Sequence, residues 1–337
     1  MYELIKDLMY SSIPVTIIFC LLGFAMLFIA LRNHKSKKRA VLFDELLLAG
    51  LHILLLFYYP LMFSKFDLAP NLYFFSNLFV MSTLFIVSFL ILLEAYKVHK
   101  NPKLKRVKSY SCFKKFFAVN EKNNRFRRRL THMLPIFVIL PIYIIFKLAS
   151  PWLATWDAWC SGFIVFLGLS FIVFFSVADI VRVLKIHLLP KWGWDLFGKG
   201  LNKEEVENNT FTTTSAMVLG LSPWILADFT VFFVVALVTS VSDAMAALVG
   251  YRFGKRNFPK KSKKTVEGYI AGFVMTFWMA LTTFLVLSTI NPLMSINIAA
   301  LVAMSFFLID FINLPIDDNK INPHVVGLVM ILVLTIL

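Results

Sequence analysis

Apolar positions in this chain gather into long runs, and polar positions are confined to the gaps between them. The runs lie near 13–31, 41–63, 72–96, 133–149, 159–181, 212–223, 225–249, 268–290, 294–313 and 323–337. About 20 apolar residues cross roughly 30 Å of hydrocarbon as a helix, and most of these runs approach that length. None alternates polar and apolar positions as a barrel strand does, and an open sheet would leave its edges unsatisfied in lipid. The pattern therefore predicts an all-α, polytopic integral membrane protein of about 9–10 transmembrane helices. The stretch from 212 to 249 is too long for one crossing and short for two, and Pro223 near its middle predicts a tight or re-entrant hairpin. The first run is followed by Arg32, Lys35, Lys37, Lys38 and Arg39 without a small-residue cleavage site, so it reads as a span.

Composition agrees with lipid as the solvent: 59% of the residues are hydrophobic and 36 are Phe, more than one soluble core could hide. The formal net charge of +15 raises nucleic-acid binding. The cations, however, fall in short segments between apolar runs, at 32–39, 97–129 and 252–264, which is the positive-inside pattern. The expected partner is the bilayer, not nucleic acid. With those segments in the cytosol, 182–209 and 315–322 are cytosolic too, 64–71 and 150–157 are outside, and both termini lie outside. The three cysteines, Cys20, Cys112 and Cys160, have neither a disulfide nor a zinc-ligand spacing.

The basic segment suggests a modular division. Residues 1–96 form a plain three-span region poor in intramembrane charge, 97–129 a basic cytosolic linker, and 130–337 a membrane domain richer in charged and small residues. Candidate chemistry concentrates in the last of these. Asp243 lies inside an apolar run, where a charge is costly unless paired, hydrated or metal-bound. Ala247, Gly250 and Gly254 continue its helical stripe with residues small enough for close approach. Beyond them lie Lys255, Arg256, Lys260, Lys261, Lys263 and Lys264, then Thr265 and Glu267, with Thr265 placed to cap the next helix. A carboxylate able to hold Mg²⁺ beside a dense cationic segment suits a polyphosphate. The plainer alternative is a packing aspartate followed by a topological loop.

A second acidic group, Asp317, Asp318 and Asn319, supplies further hard oxygen donors on the same expected face, although Asp and Asn also favour turns. Arg127, Arg128 and Arg129 precede His132, and Asp179 stands three residues before Arg182. Arginine binds phosphate in a forked geometry, but the first group also serves topology and the second suits a helical ion pair. No P-loop, dinucleotide fingerprint or zinc-helix motif occurs, so a nucleotide would have to bind at the ends of membrane helices.

These motifs, in this order, resemble the CTP-dependent lipid kinases (dolichol kinase, phytol kinase, yeast-type diacylglycerol kinase), relatives of the CDP-diacylglycerol synthases. The resemblance covers roughly 127–337 and rests on RRRLTH at 127–132, DIVR at 179–182, TTTSAMVLG at 212–220, SDAMAALVGYRFGK at 242–255, KKTVEG at 263–268 and IDDN at 316–319. It implies Mg²⁺-dependent transfer from CTP to a lipid. Asp243, Asp317 and Asp318 are then expected at the metal, Lys255, Lys263, Lys264, Arg128 and Arg182 at the phosphates, and Asp243, Lys264 and Glu267 in catalysis. His132, Asp179 and Asn319 are further candidates. Ser242, where the kinases carry Gly, and the SKKTVEG stretch lean toward the cytidylyltransferases. The missing H-G-G…D-R-x-D signature and the acid pair with Asn319 lean toward the kinases.

The leading expectation is a lipid-alcohol kinase acting on a dolichol- or polyprenol-like acceptor at the cytosolic face. The alternative is a CTP:phosphatidate-type cytidylyltransferase, and a minor one a transporter or scaffold. The expected location is the cytoplasmic membrane of a prokaryote or the endoplasmic reticulum of a eukaryote.

Overall fold

The computed structural model describes residues 2–33, 39–212, 214–259, 264–312 and 318–336, and of 2, 4, 5 and 121–130 the backbone alone. Among the described residues the secondary structure is helical apart from one isolated bridge between Asn257 and Thr265. The helices are α1 (Tyr2–Met9), α2 (Ile13–Arg32), α3 (Arg39–Tyr58), α4 (Ala69–Lys100), α5 (Lys103–Val107), α6 (Tyr110–His132), α7 (Leu134–Ala149), α8 (Trp156–Lys185), α9 (Lys191–Gly200), α10 (Lys203–Asn208), α11 (Thr214–Leu221), α12 (Phe229–Leu237), α13 (Asp243–Phe253), α14 (Val266–Leu287), α15 (Pro292–Ile312) and α16 (Asp318–Ile336). Among the described residues eight helical stretches are long and apolar enough to cross a membrane, and two shorter apolar ones, Leu134–Ala149 and Thr214–Leu226, accompany them. The chain is an all-α polytopic membrane protein.

Two expectations change. The basic segment 97–129, expected as a linker, is helical: α4 continues through Lys100, and after Asn101 and Pro102 the chain re-enters helix as α5 and α6. No Gly or Pro occurs between 103 and 132 to oppose this, and Lys and Arg are good helix formers. The stretch 212–249 resolves into short α11, a 3₁₀ turn at Ser222–Leu226 containing Pro223, and one full span, Phe229–Phe253. Within that span, α12 passes into α13 through a π-helical segment, Val238–Ser242.

The chain divides into two compact units, Met1–Arg128 with Pro141–Leu219, and Arg129–Leu140 with Gly220–Leu337. Residues 141–219 thus group with the N-terminal helices, whereas the sequence placed them with the C-terminal module. In the first unit α2 packs on α3 and α4 on α8. A Cβ on Gly23 would sit 2.6 Å from Ile53, so α2 and α3 cross closely only because a glycine is there. His52 joins α3 to α8, its Nε2 lying 2.8 Å from Ser176 Oγ. This unit is not poor in buried charge: Glu45 and Glu94 are both enclosed, the latter paired with Lys108.

In the second unit α14 packs on both α13 and α15, and α16 lies against α15, α12 and the π segment. The small-residue stripe makes the α13–α14 contact. A Cβ on Gly250 would meet Thr265 Oγ1 at 2.9 Å, and one on Gly268 would meet the Ala246 carbonyl at 2.9 Å. Thr265 caps α14 as its sequence position suggests, its hydroxyl accepting from Gly268 N at 3.2 Å.

Candidate active site

Lys264 stands immediately before the Thr265 cap, and its ammonium is the centre of a charged cluster. It donates to Asp310 Oδ1 at 2.5 Å, to the Asp310 carbonyl at 3.2 Å and to Asp318 Oδ2 at 3.2 Å. Three elements make this meeting: the N-terminus of α14, the last turn of α15 and the first residue of α16. Asp310 is buried, while Asp318 is partly open to solvent. Partial burial of Lys264 opposes its charge, but the Asp318 and Asp310 carboxylates outweigh that, so its pKa stands above the ordinary 10.5. The cluster is therefore an ammonium held by two carboxylates at the positive end of a helix.

Asp310 was not singled out from sequence. The signal was available: an acid inside an apolar run, FFLIDFI, is the same anomaly that marked Asp243.

Asp243 has a different neighbour. Its Oδ2 lies 3.8 Å from His132 Nδ1, and both side chains are largely enclosed. The structure thus joins the ends of two sequence motifs, RRRLTH and SDAMAALVG. Because Gly254 lies against Thr265, Gly250 against Gly268 and Ala246 against Gly272, Asp243 sits about 15 Å deeper along the bundle than Thr265, at 1.5 Å of rise per residue. Ser242, next to it, is fully buried, and its hydroxyl has no hydrogen-bond partner among the described residues.

Glu267, in the first turn of α14, lies near the main chain of Lys255 and Arg256, and its Oε2 is buried without a hydrogen-bond partner among the described residues. The segment after α13 is folded back onto α14 by the Asn257–Thr265 bridge, with Phe258 N donating to the Lys264 carbonyl and Val266 N to the Arg256 carbonyl. Lys255 itself is exposed. Asn319 is buried at the start of α16, its carbonyl near the point where a Cβ on Gly220 would lie. Lys263 and Asp317 lie outside the described residues, as does the side chain of Arg128.

Asp179 and Arg182 belong to the first unit and form the helical ion pair that the sequence allowed. Arg182 Nε donates to Asp179 Oδ1 at 2.6 Å, and its other nitrogens reach the Thr210 carbonyl and Asn209 Oδ1. The second Asp179 oxygen accepts from Thr212 N at 2.6 Å. Both side chains are almost wholly buried, and Arg182 stacks over Phe197. The expectation of a phosphate contact at Arg182 gives way to a structural role: its donors already hold the chain after α10 against α8.

A model describing the cytidylyltransferase family matches residues 8–313 of this chain. The chain belongs to the cytidylyltransferase family. The match runs through the N-terminal helices that the motif resemblance left aside, and it includes Asp243, Lys264, Glu267 and Asp310. For this cytidylyltransferase-family chain, no curated protein and no solved structure matches.

Proposed function

We propose that this chain transfers the cytidylyl group of CTP to the phosphate of a membrane lipid, at the cytosolic ends of α14–α16, releasing pyrophosphate. The observation that carries this reading is the convergence of Asp310 and Asp318 on the Lys264 ammonium. Family membership supports nucleotidyl transfer over the lipid-kinase reading favoured by the motifs.

Mg²⁺ fits the donor set. Two carboxylates from separate elements lie within hydrogen-bonding reach of one cationic nitrogen, and Mg²⁺ is commonly held by one or two carboxylates together with substrate phosphates. Asp310 and Asp318 would hold the ion, with Asp317 as a further candidate, whereas Asp243, deeper in the bundle beside His132, does not meet them as the sequence expected. Bound there, it would neutralise phosphate oxygens.

The residues' own work is positioning and charge balance. Lys264, charged throughout the neutral range, turns toward the triphosphate and bears the charge that builds on the leaving pyrophosphate. The amino end of α14, capped by Thr265, adds its dipole. A lipid phosphate oxygen attacks the α-phosphorus; the new P–O bond forms as the bond from the α-phosphorus to the α,β-bridging oxygen breaks, and that oxygen keeps the electron pair. The nucleophile is already anionic, so no general base is needed. Glu267 lies beside the segment from 254 to 259, which the Asn257–Thr265 bridge holds to α14, and Asp243 with His132 lies deeper in the bundle.

The test uses purified full-length protein, a panel of lipid phosphates and lipid alcohols, and CTP labelled at either the α- or the γ-phosphorus. Label from the α position in a lipid, with pyrophosphate released, is the expected result. Label from the γ position in a lipid alcohol would replace this reading with the kinase, and no labelled lipid with either donor would favour the transporter or scaffold.

A further inference from the structure

α4 is longer than a bilayer requires. At 1.5 Å per residue its 32 residues extend about 48 Å, against roughly 40–45 Å for hydrocarbon and headgroups together. Its last turn, with Lys97, His99 and Lys100, therefore emerges at headgroup level. The chain then turns into α5 and α6, adding Lys103, Lys105, Arg106, Lys114 and Lys115, all exposed. Between residues 95 and 120 there is no Asp or Glu.

The positive-inside rule asks only that such cations stay on one side of the membrane. Here they are also held in place. Lys108 faces inward, bonding Glu94 and the Leu189 carbonyl. Phe113 and Phe117 on α6 are buried with Ile186, Leu189 and Phe197, and Tyr110 donates to the Val206 carbonyl. One face of α6 is thereby fixed to the core of the first unit, and Lys114 and Lys115 point away from it. Tyr96, Val107 and Val119 are exposed among the cations, at 55%, 66% and 85%. Lys100 Nζ lies 4.8 Å from the Tyr96 ring centre. Cations interleaved with a tyrosine and small apolar side chains at the end of a span suit a surface that is half headgroup and half water.

We infer that this basic collar, formed by the end of α4, by α5 and by the outer face of α6, is a docking surface for the anionic phospholipid headgroups of the leaflet it faces. Charge complementarity chooses the occupant: beyond Lys97, which pairs with Glu94 at 3.5 Å, an ordered array of six exposed Lys and Arg without an intervening acid attracts anionic lipid over a distance of about 8–10 Å at physiological salt. The inference concerns the first unit and is independent of the reaction catalysed by the second.

The test is electron spin resonance on the full chain in phosphatidylcholine nanodiscs containing a small amount of spin-labelled phosphatidylglycerol or, separately, spin-labelled phosphatidylcholine. The phosphatidylglycerol label should be immobilised several-fold more than the phosphatidylcholine label, and raising the salt should narrow the gap. The triple variant K103E/K105E/R106E should lose most of that preference. The double variant K199E/K203E should keep it: these cations of the same unit already sit near Asp195 and Glu207, at 3.9 and 3.7 Å. Equal preference in wild type and the triple variant, or equal loss in both variants, would overturn the inference. Should the triple variant fail to insert, K114Q/K115Q takes its place, with a partial loss expected and an unchanged preference counting against the collar.

Discussion

Lys264 is where one residue's chemistry and one residue's stability coincide. Its pKa stands above 10.5, so the folded state binds its proton more tightly than the unfolded chain does. The stability this supplies is complete below about 10.5 and is lost only as pH climbs through the higher folded value. The difference in thermal midpoint between wild type and K264M should therefore be flat from about pH 7 to about pH 10 and shrink only above about 10.5. Shrinkage already within the neutral range would contradict the ion-pair assignment. For catalysis, removing one preorganised charge from a transferring phosphate costs on the order of 10²-fold in kcat. K264M should lose at least that in CTP-dependent lipid labelling, while K264R keeps part of it. Asp243 offers a separate residue-level test. D243N should insert and fold normally yet lose turnover, because the amide keeps the shape of the carboxylate beside His132 but not its charge. Normal turnover in a well-folded D243N would remove Asp243 from the site.

At the level of elements, the α13–α14 contact makes a sharp prediction about packing. G268A places a methyl 2.9 Å from the Ala246 carbonyl, main chain that cannot swing aside, and overpacking of this kind typically costs about 1–3 kcal/mol. G50A, on α3, meets nothing within 4 Å and should be neutral or slightly stabilising, since Ala is the better helix former by roughly 0.5–1 kcal/mol. Thermal unfolding in detergent checks both, and equal effects would mean that the glycine stripe does not set the contact. The Thr265 cap and the small-residue stripe after Asp243 were both legible in the sequence, because each depends on neighbours within a few turns; the break at Pro223 was legible too, but as a 3₁₀ turn before one full span rather than a hairpin. The helical character of 97–132 was not. Its charge density reads as loop, and what holds it is the burial of Phe113 and Phe117 against α9 and α10. Arg182 shows the same limit: its spacing from Asp179 announced an ion pair, but only tertiary structure adds Thr210 and Asn209 as its other partners. Asp310 was missed for a related reason, since nothing in local sequence pairs it with Lys264.

For the whole molecule, the account requires the ends of α13, α14, α15 and α16 that carry Lys255, Lys264, Asp310 and Asp318 to open to the compartment that supplies CTP. Single cysteines introduced at Lys255 and at Asn257, in a chain otherwise cleared of its three cysteines, should be labelled by an impermeant maleimide from the cytosolic side. Labelling from the opposite side alone would invert the topology and remove the nucleotide from reach. The most direct test of the central claim follows the label of α-phosphorus-labelled CTP into lipid in wild type, in D310N and in a control variant, K199E. The account predicts labelled CDP-lipid from wild type and K199E and a loss on the order of 10²-fold in folded D310N. Wild-type labelling by D310N would contradict it, because the cluster around Lys264 would then not be where the cytidylyl group is transferred.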